Sequence, residues 1–348
     1  MAPQIIIRCD AGDAPEIGTG HIARSKTLAN ALVNSNSVTT QDICFFTRND
    51  SGFQLGEKYL EGSDFNYQVF SNNKLKANSQ SEIDILCNQD ADLILLDRLE
   101  TSAELIKALK SRNKKVVTFD DYGEGRIYAD IAISSIFDDV PESKNLIKGY
   151  EYLILSQNNY CLSNINKNVQ NIVVTFGGND NRDICSHFLA NVESIPQNIS
   201  IKIILGKIDN KIYKSYLRKI ESKKNRDNIE IFIFPENYHE IISNADIAVS
   251  TGGLSIFEFS AYGIPTIGIP QYEHQLRTIE SLEGYGISIL GSKGMELSND
   301  KFLDAINSLI SDNTLRKSMA FNAHNLIDGK GVHRVRDLLV KEFHEVFK

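Results

Sequence analysis

Short apolar runs alternate with amphipathic stretches along both halves of the chain, and this alternation restricts the possible folds more than any other feature of the sequence. In the first half the apolar runs are Gln4–Arg8, Ile43–Thr47, Leu93–Leu96 and Val116–Phe119. Amphipathic stretches such as His21–Val33 lie between them. Runs of this kind fit strands buried on both faces of a parallel sheet that helices cover. The pattern predicts an α/β fold built on doubly wound sheets.

The alternation stops at a polar, asparagine-rich stretch from Ser156 to Asn171 and then resumes. The chain has 348 residues, whereas a domain usually has roughly 100–200. We therefore expect two Rossmann-like domains, one over residues 1–158 and the other over residues 168–348. A final amphipathic stretch, Val332–Phe347, predicts a last helix that is able to cross back to the first domain.

The overall composition argues against several classes of function. The formal net charge is −8 and no segment is dominated by Lys and Arg, so the chain lacks the clustered basic face of a nucleic-acid-binding protein. No apolar run approaches the roughly 20 residues that span a bilayer and no signal peptide is visible, so we expect no integral membrane segment. The five cysteines form no C-x-x-C pair, which suits a reducing compartment. We expect a monomeric cytoplasmic protein.

A first glycine-rich segment, Ile17-Gly18-Thr19-Gly20-His21, follows the strand that ends near Arg8. In an open parallel sheet, ligands bind beyond the carboxyl ends of the strands, where this segment lies. The glycines allow the backbone to approach a ligand closely, and the amide groups at the start of the following helix favour an anion or a polar group. The helix terminus also disfavours an imidazolium, so His21 is expected to be neutral near neutral pH and able to act as a general base. The alternative is a histidine that caps or packs the loop.

The same segment also fits the dinucleotide-binding pattern G-x-G-x-x-A, from Gly18 to Ala23. That pattern normally follows its strand directly, whereas here the first glycine comes ten residues after Arg8. No acidic residue for a ribose hydroxyl ends the second strand, where the sequence is Phe-Phe-Thr-Arg-Asn. These two departures disfavour NAD as a ligand.

Four aspartates follow strands of the first half: Asp10, Asp97, Asp120 and Asp121. Each alone is common at the end of a strand, but together they predict an acid-lined pocket for sugar hydroxyls. The pair Asp90-Ala91-Asp92 precedes its strand, at the opposite edge of the sheet, and is therefore expected to be structural. The histidines show no H-E-x-x-H or paired spacing, so we expect no metal site.

The second half carries a stronger nucleotide signal. Gly177-Gly178 and Asp180 follow one predicted strand, and Ser250-Thr251-Gly252-Gly253 follows another and opens the helix that carries Glu258. Adjacent glycines at a helix start expose amide groups to a diphosphate, and the helix dipole adds to the attraction. Glu258 lies further along that helix, where a carboxylate can accept two ribose hydroxyls. For the glycine pair alone, a tight turn between strand and helix is the alternative.

Together these segments resemble known enzymes. The stretch from Ser250 to Pro265, with Pro270 and His274-Gln275, resembles the donor-binding signature of GT-B enzymes close to MurG. The N-terminal segments Arg8-x-Asp10 and Ile17-Gly-Thr-Gly-His21-x-x-Arg24 resemble the UDP-sugar hydrolase of pseudaminic acid synthesis, PseG, and the related spore coat polysaccharide protein SpsG. The resemblance covers nearly the whole chain in order, and it extends to Phe119-Asp120-Asp121, Gly177-Gly178-x-Asp180 and Glu258.

The resemblance implies a GT-B fold, in which two Rossmann-like domains face a cleft. It also implies inverting hydrolysis of UDP-2,4-diacetamido-2,4,6-trideoxy-β-L-altropyranose at the C1–O bond, without a metal or other cofactor. The product would serve the synthesis of pseudaminic-acid-type sugars or of surface polysaccharide. His21 and Asp10 are expected to be catalytic. The residues expected to bind the UDP-sugar are Arg8, Gly18, Gly20, Arg24, Asp97, Asp121, Gly177, Gly178, Asp180, Thr251, Gly252, Gly253, Glu258, His274 and Gln275.

Two departures from the family leave the exact sugar open. Leu99 stands where the family usually has an aromatic residue, and the stretch between Asp10 and His21 is longer than usual. A UDP-sugar-dependent GT-B glycosyltransferase would use the same residues, with an acceptor hydroxyl in place of water. A non-catalytic protein that binds nucleotide-sugars is a third hypothesis, and the position of His21 in a glycine-rich loop argues against it.

Overall fold

The computed structural model describes residues 4–12, 17–136, 140–156, 159–178, 180, 182–206, 209–224 and 226–347. The chain forms two compact units. Unit 1 comprises Met1–Gln157 and Gly329–Lys348, and unit 2 comprises Asn158–Asp328. The expected domain boundary at residue 158 lies outside the described residues.

Unit 1 is built on a seven-stranded parallel sheet with the strand order β3-β2-β1-β4-β5-β6-β7. Its strands are β1 (Ile5–Cys9), β2 (Ile43–Arg48), β3 (Asn66–Phe70), β4 (Leu93–Asp97), β5 (Lys115–Phe119), β6 (Ile131–Ser134) and β7 (Leu146–Lys148). The first helices of this unit are α1 (Gly20–Asn34), α2 (Leu55–Leu60), α3 (Gln80–Cys87) and α4 (Ala103–Ser111).

Alternate residues of the central strands of unit 1 face two different cores. Ile5 and Ile7 of β1 pack in the core that includes the apolar side of α1, whereas Ile6 packs in the core formed with α3 and α4. All three side chains are essentially inaccessible to water. Burying an aliphatic side chain of this size contributes roughly 1.5–3 kcal/mol to the free energy of unfolding. The same alternation decides on which face of the sheet each polar residue at a strand end lies.

Unit 2 repeats the architecture with six parallel strands in the order β10-β9-β8-β11-β12-β13. Its strands are β8 (Asn171–Thr175), β9 (Ser200–Leu205), β10 (Ile229–Ile233), β11 (Ile247–Ser250), β12 (Thr266–Gly268) and β13 (Ser288–Leu290), followed by a small antiparallel pair, β14 (Ser292–Lys293) and β15 (Glu296–Leu297). Its helices are α5 (Ile184–Asn191), α6 (Asn210–Glu221), α7 (Tyr238–Ser243), α8 (Leu254–Ala261), α9 (Glu273–Gly284), α10 (Asn299–Ser311) and α11 (Asn313–Leu326). Two doubly wound parallel sheets confirm the predicted fold class.

The last helix, α12 (Gly331–Glu342), packs with unit 1. The sequence analysis included these residues in the second domain, 168–348, and noted that the last helix could cross back to the first domain. Val335 and Leu339 are buried in the same core as Ile5 and Ile7, because α12 turns its apolar side towards α1. Gly331 begins the helix in close contact with the backbone: a Cβ atom at this position would lie 2.1 Å from the carbonyl oxygen of Leu153.

Candidate functional site

The carboxyl edge of the sheet in unit 1 brings together residues that are distant in sequence. The neighbouring strands β1 and β4 align Cys9 with Asp97, and β4 and β5 align Asp97 with Phe119. Helix α1 begins at Gly20 and carries His21 and Arg24 close to its start. Asp97, at the centre of this edge, faces α1 because it has the same strand parity as Leu93 and Leu95.

Asp97 holds the imidazole of His21 in one orientation. Its Oδ1 lies 2.6 Å from His21 Nδ1, and its side chain is 2% exposed. Burial alone would raise the pKa of Asp97, but the charges of Arg24 and His21 and their hydrogen bonds outweigh this effect and hold the pKa below its usual range. An ionised carboxylate only accepts hydrogen bonds, so Nδ1–H of His21 is the donor. In the neutral imidazole, the other ring nitrogen, Nε2, then carries the lone pair that can accept a proton.

Arg24 binds the same carboxylate through two of its nitrogen atoms. Its Nε donates to Oδ2 of Asp97 at 2.9 Å and its Nη2 donates to Oδ1 at 2.6 Å. The hydroxyl of Ser25 donates to Oδ2 at 2.9 Å. Nη1 of Arg24 also donates to Asp120. Helix α1 therefore supplies three side chains that converge on Asp97.

Asp10, expected to be catalytic, lies in a different cluster. Its carboxylate accepts two hydrogen bonds from Arg8, at 2.7 and 2.9 Å, and one from Nε of Arg48 at 3.1 Å. Arg8 has the strand parity of Ile6 and donates to Glu82 of α3 at 2.8 Å, so this cluster faces α3 rather than α1. Burial would raise the pKa of Asp10, but Arg8 dominates and lowers it to about 2. The contacts of the described residues do not bring Asp10 to His21.

Asp121 and Gly18, both expected to bind the substrate, differ in environment. The carboxylate of Asp121 accepts bonds from the amide and hydroxyl of Thr101, at 2.9 and 2.5 Å, and from the amide of Gly123 at 2.8 Å. Burial raises the pKa of Asp121 to about 6. A Cβ atom at Gly18 would meet no atom within 4 Å, so this glycine borders open space. Gly20 is the first residue of α1.

Three loops follow neighbouring strands at the carboxyl edge of the sheet in unit 2. Gly177 follows β8 with φ of 78°, a left-handed conformation that favours glycine. Gly252 follows β11, and the backbone of Gln275 in α9 lies directly against it. The side chain of Gln271, after β12, donates to the carbonyl of Phe176, after β8, at 2.9 Å. The glycines expected to bind a diphosphate therefore lie on adjacent strands.

Thr251, His274 and Gln275 complete this edge. Thr251 is buried beside Gly252. Oε1 of Gln275 accepts a bond from the amide of Gln271 at 2.9 Å, which turns the amide nitrogen of Gln275 towards Gly253. The ring of His274 stacks on that of Tyr272 with centroids 5.7 Å apart.

Asp180, also expected to bind the substrate, accepts bonds from the first turn of α5. Its two carboxylate oxygens lie 2.8 Å from the amide nitrogens of Ile184 and Cys185. This arrangement satisfies amide groups that have no partner inside the helix. Burial raises the pKa of Asp180 above its usual value.

Glu258 is partly buried on α8 and has an unusual environment for a carboxylate. Oε2 accepts a hydrogen bond from the hydroxyl of Tyr238 at 2.9 Å, and the same hydroxyl lies 3.2 Å from Oγ of Ser255. Burial raises the pKa of Glu258 to about 7, and the bond from Tyr238 only partly opposes this shift. Glu258 thus changes its charge close to neutral pH.

Several residues of these clusters carry no local signal that identifies them as functional. Tyr238 reaches Glu258 across 20 positions of the chain, and Arg182 donates to the carbonyl of Pro270 at 2.8 Å across 88 positions. Ser25 could have been predicted to lie near the site, because it is four residues after His21 and so lies on the same side of α1.

We expect the substitution Gly252→Ala to destabilise unit 2. The new Cβ atom would lie 2.3 Å from the carbonyl oxygen of Gln275, which is backbone and must move. Overpacking of this kind costs roughly 1–3 kcal/mol, so the midpoint of thermal unfolding should fall by several degrees. Gly253→Ala is the matched control, since its nearest neighbours would be 3.7 and 3.8 Å away. Equal melting temperatures for the two variants would contradict the prediction.

Two general features of the described residues bear on the site. Across the described ranges, no group of three or more His, Cys, Asp or Glu side chains is arranged to hold a metal ion. In that same part of the chain, every helix is too short or too polar to cross a bilayer.

The chain is similar to several known proteins. Residues 171–327 match the family model described as glycosyltransferase family 28 C-terminal domain, and the match lies inside unit 2. The spore coat polysaccharide biosynthesis protein SpsG of Bacillus subtilis is 27% identical over 340 residues, which cover 93% of this chain and 94% of SpsG.

Two further similarities are to a transferase sequence and to a solved structure. The UDP-N-acetylglucosamine--N-acetylmuramyl-(pentapeptide) pyrophosphoryl-undecaprenol N-acetylglucosamine transferase of Leuconostoc citreum is 29% identical over 162 residues, 43% of this chain and 42% of the transferase. The crystal structure of Acinetobacter baumannii MurG superposes with a TM-score of 0.69 and 12% identity, over 97% of this chain and 100% of MurG. The chain has the GT-B fold, as the sequence predicted.

Proposed function

We propose that the protein hydrolyses a UDP-linked diacetamido-trideoxyhexose at the anomeric carbon and releases UDP and the free sugar. Unit 2 would hold the nucleotide, and His21 of unit 1 would be the general base. The observation that carries the proposal is the 2.6 Å contact between His21 Nδ1 and the buried carboxylate of Asp97. In the neutral imidazole this contact leaves Nε2 as the proton acceptor. Gly18, three residues before His21 in the sequence, borders open space.

In the proposed reaction, Nε2 of His21 removes a proton from a water molecule while the water oxygen bonds to C1 of the sugar. The C1–O bond breaks and its electron pair leaves with UDP, so the configuration at C1 inverts. UDP is a stable leaving group once its charge is bound, and the amide groups after β8 and β11 are suited to that role. Asp97 stabilises the imidazolium that forms, as a carboxylate does in other base–acid pairs.

The resemblance of the second half to donor-binding enzymes supports a uridine nucleotide in unit 2. Glycines on adjacent strand ends offer backbone amides to the diphosphate, and Glu258 offers a carboxylate to the ribose hydroxyls. SpsG takes its name from spore coat polysaccharide biosynthesis. By analogy, we propose that the released sugar enters a nonulosonate of the pseudaminic acid type or another surface polysaccharide. In this proposal Asp10 pairs with Arg8 and Arg48 and does not act on the substrate.

A glycosyltransferase is the second candidate, and the family 28 match over residues 171–327 favours it. The same base would then remove a proton from an acceptor hydroxyl, and the sugar would be transferred to that oxygen instead of to water. The two reactions share every residue named above and differ only in the nucleophile.

The decisive experiment is to incubate the pure protein with a set of UDP-sugars, a chelator and no acceptor, and to measure released UDP. Rapid release supports hydrolysis. Release only after addition of an acceptor sugar or lipid-linked sugar supports transfer and rejects hydrolysis. Tight UDP binding without release under either condition rejects both and indicates a binding protein.

The ionisation of Glu258 predicts that UDP binds more weakly in acid. Ribose hydroxyls donate to the ionised carboxylate, and the pKa of Glu258 is about 7. If only the ionised form binds, affinity rises about tenfold from pH 6 to pH 8. Isothermal titration calorimetry measures this change. Because the terminal phosphate of UDP titrates near the same pH, Glu258→Gln is the control, and an identical pH profile in this variant would refute the assignment.

A further inference from the structure

We infer that Arg24 is a positioning residue that fixes Asp97 behind His21, and that Asp120 holds Arg24 in place. The inference rests on the proposed function for its kinetic consequences, but not for its structural ones. Arg24 donates to both oxygens of Asp97, at 2.9 and 2.6 Å, and donates to Asp120 through its third nitrogen. A guanidinium that binds a carboxylate through two parallel bonds restrains both the position and the plane of that carboxylate.

The spacing on α1 explains how one turn of helix supplies both the base and its support. His21 and Arg24 are three residues apart, so their side chains lie on the same side of the helix. Both reach Oδ1 of Asp97, each at 2.6 Å. Any rotation of Asp97 towards solvent would break contacts with both residues at once.

Asp120 anchors the other end of Arg24. Its Oδ1 accepts bonds from the amide groups of Ser135 and Ile136, at 2.6 and 3.0 Å. The backbone of Asp120 has φ of 47°, a conformation that costs energy for a residue other than glycine and that persists where the surroundings enforce it. A chain of contacts therefore runs from the imidazole through Asp97 and Arg24 to the backbone after β6.

The sequence analysis expected Arg24 to bind the UDP-sugar, but the geometry argues against this role. Its side chain is only 4% exposed, and all three of its nitrogen atoms already donate to Asp97 or Asp120. The charges of Asp97 and Asp120 also explain why an arginine is buried at this position. Two buried carboxylates without a cation would be costly, and Asp97 would then tend to bind a proton. A protonated Asp97 could donate to Nδ1, which would leave Nε2 with the hydrogen and remove the base.

The test is Arg24→Lys, which keeps the charge but cannot bridge both oxygens of Asp97 and Asp120. We expect kcat to fall about 10–100-fold, a part of the 10²–10⁴-fold that a general base supplies, with KM changed less than about threefold. In the ligand-free protein with ¹⁵N-labelled histidine, the wild type should show His21 protonated at Nδ1 with a downfield, slowly exchanging proton. In Arg24→Lys that proton signal should broaden or disappear.

Matched variants separate positioning from a general loss of structure. Asp120→Asn keeps an oxygen for the two amide groups but removes the ion pair, so it should reproduce the NMR change of Arg24→Lys. Arg126→Lys replaces another buried arginine of unit 1, which donates to the carbonyl of Pro141 at 2.8 Å, and should leave kcat and the NMR signal unchanged. In a His21→Ala background, Arg24→Lys should cause no further loss of kcat.

Two results would overturn the inference. A rise in KM at unchanged kcat in Arg24→Lys would assign Arg24 to substrate binding. An unchanged Nδ1–H signal in both Arg24→Lys and Asp120→Asn would show that Asp97 needs no support. The NMR measurement uses no substrate, so it tests the positioning role even if the wild-type protein releases no UDP.

Discussion

The variant His21→Ala is expected to release UDP from its sugar substrate about 10²–10⁴ times more slowly than the wild-type protein. The substitution removes the ring whose Nε2 accepts the proton of water, while Asp97 keeps its two bonds from Arg24. The dissociation constant for UDP should stay the same, because the residues proposed to bind UDP belong to unit 2. Steady-state UDP release and calorimetric titration with UDP measure the two quantities.

His333→Ala is the matched control for this variant. His333 lies on α12, also in unit 1, and is exposed to solvent. Its removal should change neither the rate nor the binding of UDP. If His21→Ala retained the wild-type rate, His21 would have the alternative role considered from the sequence, packing of the loop. A parallel loss of rate and UDP affinity would instead indicate that the variant damages the fold beyond unit 1.

The features that could be predicted from the sequence depend on patterns of a few neighbouring residues. Runs such as Ile5–Cys9 and Leu93–Asp97 are apolar at nearly every position, which is the requirement of a strand covered on both faces. The glycines before His21 predicted a helix that starts there, and α1 begins at Gly20. These local patterns, repeated in order, suffice for the α/β class and for the location of His21 and Asp97 at a carboxyl edge.

Edge strands were harder to recognise, because their residues satisfy weaker requirements. The first three residues of β3, Asn66–Phe70, are exposed and the last two are partly buried. The strand therefore lacks the apolar run that marks β1 or β4, and its place in the sheet depends on pairing with β2. The packing of α12 against unit 1 could not be predicted from the sequence either, because the apolar face of a helix does not indicate which sheet it covers.

The choice of the carboxylate behind His21 needed the three-dimensional structure. Asp10 is near the glycine-rich loop in sequence, whereas Asp97 is 76 positions from His21. Strand parity gave a partial signal, because Asp10 shares the face of Arg8 and Ile6. The pairing of Arg8 with Glu82 across 74 positions could not be predicted from local spacing. Charged residues at strand ends can therefore be placed near a site without their partners being known.

Asp97→Asn is expected to impair both the reaction and the stability of unit 1. An amide can present its NH₂ group to Nδ1, which would move the ring hydrogen to Nε2 and remove the base. We expect kcat to fall about 10²–10⁴-fold. The substitution also leaves Arg24 buried with only Asp120 as a charged partner, and removing one member of a buried ion pair costs about 3–5 kcal/mol. Urea unfolding, monitored by hydrogen exchange of peptides from unit 1, measures the loss of stability.

Acid should shrink the difference in stability between wild type and Asp97→Asn. The pKa of Asp97 in the folded protein lies below its usual value, chiefly because Arg24 opposes the effect of burial. Because the pKa is lower in the folded state, the stabilisation from ionised Asp97 is fully present above the pKa of the unfolded state, about 3.9. It is lost as the pH falls below that value, because the unfolded state then binds more protons than the folded state. Asp337→Asn is the control: this aspartate pairs with Arg336 on α12 at 67% exposure, so its loss should cost under about 1 kcal/mol at any pH. If both variants lost the same stability, and if the loss in Asp97→Asn did not depend on pH, Asp97 would not carry the buried charge on which the proposed base depends.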